Sequence, residues 1–332
     1  MIQWMLKQVQ HDGMLKPWGL CVSLYSRRGS CGIMGIMSLK YNIIEGFVRF
    51  WNKVSRDGVK RRIYEHLEKP PVVQEIPSYL YKKFNVSKIE LGNDLLFVIG
   101  PRKNPCDKAV LYIAGGGGRA KPGKRHFKLV SRLVKQGGLT VYLGFYPCAP
   151  DVNVRFSLRW LQKVYAEMLK DFPSKKTVFA GDSAGANLAL SLCNRVVSKP
   201  AKVIAVSPAI GFAHGEVRKP LEAAEKSDPL ISMKTLDLIL DSWCKNVSLD
   251  SPDVEPVNIN YEGYPPVQLF YGTKDMFFPH MDALIANIEA GGAKLEMHRK
   301  NAIHNWPILQ ETREGRRAVK QMVDFIERQV IR

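Results

Sequence analysis

The chain has 332 residues, 45% of them hydrophobic, and a formal net charge of +18. That apolar content supports a sizeable core and excludes a disordered chain, and the length suits one large α/β domain or two ordinary ones. The basic residues fall in short groups such as Lys60-Arg61-Arg62 and Arg316-Arg317. This reads as a solvated basic face, without a helix-turn-helix, zinc-finger or RNA-binding signature, so no nucleic-acid partner is expected.

Residues 1–38 read as an N-terminal extension, basic and with Asp12 its only acid. Its apolar piece at 19–22 is cut by Arg27-Arg28, which makes a poor signal peptide. The composition also fits a transit peptide, and Met37-Ser38-Leu39-Lys40 offers an alternative start. No apolar run reaches the roughly 18 residues of a membrane-spanning helix. The six cysteines contain no C-x-x-C pair. Reduced thiols, a cytoplasmic location, no metal and no other cofactor are expected.

Over residues 39–68, Ile43, Ile44, Phe47, Phe50, Trp51 and Val54 recur at helical spacing. The stripe predicts a helix packed on the body, with a lid over a site as the alternative. Pro70-Pro71 ends it. Residues 86–91 and 95–99, around Gly92-Asn93-Asp94, predict a β-hairpin. Strands then follow at 108–113, 139–143, 177–180 and 203–206, with helices at 124–137, 154–171 and from 183 on. Residues 211–255 interrupt the alternation with the turn-like Ser227-Asp228-Pro229 and a helix over 233–243, and read as an insertion. The pattern resumes with a strand at 267–271, a helix at 279–290, a strand at 294–298 and a last helix at 312–330. Short apolar strands alternating with helices predict a mostly parallel sheet covered on both faces.

The chemistry concentrates where the 177–180 strand meets its helix. Gly181-Asp182-Ser183-Ala184-Gly185 is a G-x-S-x-G run in the strand–turn–helix context that makes the motif informative. A tight turn needs small neighbours, lifts Ser183 above the sheet, and aims the Ala184 N–H at a developing oxyanion. A serine needs a base, and the base an orienting acid, in the chain order Ser, acid, His. Of His214, His280, His298 and His304, the last lies in the loop before the final helix, where the base belongs. Asp275, on the loop after the 267–271 strand, is the candidate acid, with Asp282 as fallback. Ala114-Gly115-Gly116-Gly117-Gly118 supplies candidate oxyanion N–H groups at Gly116 and Gly117. It matches neither phosphate-loop spacing.

These motifs resemble the hormone-sensitive-lipase-like esterases of the α/β-hydrolase superfamily, over residues 85–330. Residues 181–189 are close to the family's G-D-S-A-G-G-N-L-A, residues 146–151 are similar to its Y-R-L-A-P-E, and Ser207-Pro208 matches its S-P. The resemblance implies the α/β-hydrolase fold, with a helical cap built from residues 39–84 and 211–255 on a catalytic domain of 85–332. It implies hydrolysis of short- to medium-chain acyl esters by Ser183, His304 and Asp275. Two departures stand out: Ala114 replaces the first residue of the family's H-G-G-G, and Asp275-Met276-Phe277 replaces its D-P-L.

An amidase or formamidase using the same three residues, and a non-catalytic binder, are the rival readings. Arg119, Lys121, Lys124 and Arg125 follow the glycine loop. They either coat an exposed helix start or favour anionic substrates and weak association with anionic surfaces. Trp243, Phe277, Phe278 and Trp306 are candidate pocket walls, each also readable as core. Oligomeric state is left open, a homodimer among the options.

Overall fold

The computed structural model describes residues 37–71, 75–212 and 215–328. The readings made for 1–36 and for His214 lie outside the described residues. Eight strands form one sheet in the order β1-β2-β4-β3-β5-β6-β7-β8. They are β1 (Asn85–Leu91), β2 (Asp94–Gly100), β3 (Ala109–Ile113), β4 (Thr140–Gly144), β5 (Thr177–Asp182), β6 (Lys202–Val206), β7 (Val267–Gly272) and β8 (Leu295–Lys300). β1 and β2 form the expected antiparallel hairpin, with Leu91 opposite Asp94, and β2 runs antiparallel to β4. The remaining neighbours are parallel. The fold is that of an α/β hydrolase.

Ten α-helices accompany the sheet among the described residues: α1 (Leu39–Val54), α2 (Gly58–Glu68), α3 (Ser78–Lys83), α4 (Lys124–Gly137), α5 (Val154–Asp171), α6 (Ala184–Arg195), α7 (Lys219–Ala224), α8 (Met233–Trp243), α9 (Met281–Ala290) and α10 (Arg313–Glu327). Every residue of β3, β5, β6 and β7 is buried. Their side chains alternate between two cores, as a period of two requires. Leu111 and Ile113 pack with Leu158 of α5 and Leu188 of α6, while Val110 and Tyr112 face Val130 of α4 and Val319 of α10. The edge strand β8 carries Glu296, His298, Arg299 and Lys300 and is only partly buried, which discourages pairing with another chain. No described helix is long and apolar enough to cross a membrane.

The single run expected over 39–68 is broken. Arg56 and Asp57 take positive φ and separate α1 from α2. The predicted stripe is also displaced around the helix. α1 buries Tyr41, Ile44 and Val48, whereas Ile43, Phe50 and Val54 are exposed. His298 lies within β8 rather than ending its strand, and Asp282 is an exposed residue of α9.

Candidate active site

Ser183 stands between β5 and α6, as the N-cap of α6, with φ 54° and ψ −123°, a conformation costly for a residue with a Cβ. Its neighbours explain how the turn is held. A Cβ on Gly181 would collide with the Gly185 carbonyl, and one on Gly185 with the carbonyl of Ile113. The Ser183 N–H donates to Val206 O at 2.8 Å, tying the turn to β6.

His304 reaches this serine from the loop after β8. Its Nε2 is 2.9 Å from Ser183 Oγ, and its Nδ1 is 2.9 Å from Oδ2 of Asp275, which follows β7. Asp275 is fully buried and His304 nearly so. The histidine loop is pinned on both sides: Ile303 N–H donates to the Tyr41 hydroxyl of α1 at 2.7 Å, and Asn305 N–H to Ser207 Oγ at 3.1 Å. The Phe277 ring packs edge-on to the imidazole, with centroids 5.6 Å apart. His280 and His298 stay away; His298 bonds Glu296 and Gln268 on β8 and β7. Asp282, the fallback acid, is an exposed residue of α9, and the imidazole nitrogens of His304 are bonded to Asp275 and Ser183.

Three further features were not read from the sequence. The first is Asp228, whose sequence setting reads as a turn. It is buried and accepts the Leu230, Ile231 and Met276 N–H groups at 2.7, 3.1 and 2.9 Å, holding the segment beside Asp275. Burial, then the charge of Asp275, raises its pKa above the usual carboxylate range. The second is Asp182. It accepts from the Tyr112 hydroxyl at 2.7 Å, Gly115 N–H at 3.1 Å and Asn305 Nδ2 at 3.0 Å. Burial alone would raise its pKa; His126, the Tyr112 hydroxyl and the Gly115 N–H outweigh that and lower it. The third is His126 of α4. Its Nδ1 accepts the Gly123 N–H at 2.9 Å, which leaves Nε2 to donate to Asp182 at 3.3 Å. For His304, burial works downward, but Asp275, then Asp228 and Asp182, leave the imidazole pKa raised.

The glycine loop lies beside the serine. Gly116 and Gly117 take φ of 123° and 61°, values that favour glycine. A Cβ on Gly117 would meet the Ile239 side chain of α8. Where Ala114 stands, the loop is fastened by other means. The Tyr146 hydroxyl donates to Ala114 O at 3.0 Å, and Gly115 N–H to Asp182.

A cavity of about 430 Å³ opens onto Ser183 and His304. Ile44 and Val48 of α1, Ile63 and Leu67 of α2, and Leu236 and Ile239 of α8 line it. Trp243 and Phe277 belong to its wall, as expected of candidate pocket residues. Phe278 and Trp306 do not: Phe278 stacks on Tyr271, and Trp306 Nε1 donates to Tyr271 O at 3.3 Å. Among the described residues, no cluster of His, Cys, Asp and Glu could hold a metal ion.

Comparison with known proteins agrees with this architecture. Esterase LipU of Mycobacterium tuberculosis is 24% identical over 237 residues, 66% of this chain and 77% of the relative. An esterase of Acinetobacter venetianus is 24% identical over 226 residues, 65% and 73% of the two chains. The crystal structure of EstE7, a hormone-sensitive-lipase homologue from a metagenome library, superposes with a TM-score of 0.70 at 17% identity. The match covers 85% of this chain and 97% of EstE7. A family profile described as alpha/beta hydrolase fold matches residues 110–308, from within β3 to just past His304. That span is more than half the chain, and by it the chain belongs to the α/β-hydrolase family.

Proposed function

We propose that the protein is a serine carboxylesterase that hydrolyses short- to medium-chain acyl esters through an acyl-enzyme. The observation that carries this reading is the unbroken hydrogen-bonded chain from Ser183 Oγ through His304 to Asp275. Nucleophile, base and orienting acid then stand at bonding distance before substrate arrives. The esterase names of the relatives support an ester rather than an amide substrate.

The steps follow from the geometry. His304 Nε2 takes the Ser183 proton as Oγ attacks the acyl carbonyl, and Asp275 holds Nδ1–H and offsets the imidazolium charge. The N–H groups of Gly116, Gly117 and Ala184 receive the oxyanion. Collapse expels the alcohol, which takes its proton from His304. Water, deprotonated by the same nitrogen, then releases the acid. α1, α2 and α3 with residues 211–255 serve as a cap on a catalytic body of residues 85–332. The apolar cavity wall, contributed largely by α1, α2 and α8, supports that division.

Fluorophosphonate labelling and p-nitrophenyl butyrate turnover test the reading on wild type and Ser183→Ala. Labelling should vanish in the variant and kcat fall by about a million-fold. Equal labelling of both proteins, or turnover that survives the substitution, would defeat it.

A further inference from the structure

The cavity over Ser183 has no Asp or Glu among its described lining residues, but it does contain Lys121, Lys124 and Arg125. The basic cluster after the glycine loop divides into different roles. Arg119 turns away from the cavity: its guanidinium is buried against the end of α2, donating to Leu67 O at 2.7 Å and Glu68 O at 3.4 Å. Lys121 is also spent. Its ammonium is bonded to Asp94 at 2.9 Å and to the carbonyls of Phe145 and Tyr146 at 3.0 and 2.7 Å. Lys124 is exposed.

Arg125 differs from all three. It is half-buried and lines the cavity together with Ser183, Asn305 and Ile308. It makes no hydrogen bond or ion pair with any described residue. The acid whose charge reaches it is Glu311, whose carboxylate is bonded to Lys128. Burial lowers the Arg125 pKa, as expected for a cation taken out of water without a full partner. A guanidinium stays charged under any ordinary condition, so the desolvation has to be offset by something. Arg125 also sits in the first turn of α4, which has no acidic residue; its N-cap is Gly123, and its one side-chain cap is the neutral acceptor His126 Nδ1. The positive end of the 14-residue helix therefore adds to the same field. Cation and helix end favour an anion, and the Asp182 carboxylate behind the wall is already bonded to Tyr112, Gly115, Asn305 and His126.

We propose that the cavity selects esters carrying a carboxylate, which the Arg125 guanidinium receives while Ser183 attacks the ester carbonyl. The inference rests on the ester-hydrolase reading and gives it a substrate class. A fork of N–H donors matches the two oxygens of a carboxylate, which a lysine does not do.

The test compares kcat/KM on three esters: neutral p-nitrophenyl butyrate, p-nitrophenyl hemiglutarate with its carboxylate on the acyl side, and 4-carboxyphenyl butyrate with its carboxylate on the alcohol side. Wild type, Arg125→Met and Arg125→Lys are measured, each with its melting temperature. Arg125→Met should lower the anionic-to-neutral ratio by about 10- to 100-fold for at least one anionic ester, mainly through KM. Arg125→Lys should restore part of the loss, and which ester responds says where the carboxylate sits. An unchanged ratio for both anionic esters, or equal losses on all three, overturns the inference while leaving the esterase reading intact. Absence of turnover on all three by wild type overturns both. Should Arg125→Met fail to fold, wild type decides through a salt series. KM for the preferred anionic ester should rise with ionic strength while that for the neutral ester holds, and parallel behaviour overturns the proposal.

Discussion

At His304 the decisive quantity is the balance between burial and charge. Burial favours the neutral ring, but Asp275, Asp228 and Asp182 together outweigh it and raise the pKa. In the proposed mechanism only neutral His304 can accept the Ser183 proton. The acid limb of kcat/KM should therefore have its midpoint above the ordinary histidine value of about 6.5. Asp228 adds to the raised value without touching the imidazole through a hydrogen bond. Removing its charge in Asp228→Asn should move the acid limb to lower pH. The variant also loses a carboxylate acceptor for Met276 N–H, so some fall in kcat accompanies the shift. A fall in kcat with an unmoved limb would make Asp228 a purely structural residue. Asp275→Asn, which disturbs the imidazole tautomer itself, should cost about 10⁴-fold in kcat.

At the scale of elements, the roof helix α8 and the glycine loop are in direct contact. Ile239 lies where a Cβ on Gly117 would have to go. With the Gly117 N–H as one of the proposed oxyanion donors, Gly117→Ala should cost about 10²- to 10³-fold in kcat. If the clash with Ile239 is responsible, Ile239→Ala in the same chain should recover part of the loss. A double-mutant cycle with no coupling would count against the contact. The elements that carry Ser183, Asp275 and His304 were legible because each is announced locally. A strand and helix flank a small-residue turn, and two loops follow strands in the required order. The break between α1 and α2 had a signal too, in the Asp57-Gly58 pair, which is a turn dipeptide set inside a helical pattern. Asp228 and His126 had none. Ser227-Asp228-Pro229 reads as a turn and is one, but its carboxylate matters because Met276, 48 residues later, is folded against it. His126 looks like any surface residue of a basic helix until Asp182 lies across from it. The apolar stripe of α1 misled for a related reason. Its periodicity fits a helix, but which arc turns inward depends on what it covers, and that is the cavity.

Across the whole molecule, the start of α1 is tied into the core and to α10. Met37 is buried in the core shared with α4 and α10, and its carbonyl accepts from Asn42 Nδ2 at 3.1 Å. Ser38 caps α1 and meets Glu314 of α10 through both its N–H, at 2.6 Å, and its hydroxyl, at 2.7 Å. A chain starting at Met37 should therefore keep p-nitrophenyl butyrate turnover within about twofold of the full chain, and a melting temperature within a few degrees of it. A large loss in either would assign residues 1–36 a part in the site. α1 also stitches together what the sequence keeps far apart. Tyr41 holds the histidine loop, Glu45 pairs with Lys274 of the acid loop at 2.6 Å, and Arg49 and Asn52 donate to Ser227 O and Pro229 O. For recombination between relatives this makes α1 a poor unit of exchange. A crossover placed between α2 and β1 would hand the loops at 227–229, 273–276 and 303–305 a foreign helix. Chimaeras that move α1 together with those loops should retain a working site more often than those that move it alone. In natural lineages, changes at the two ends of the chain should accumulate together.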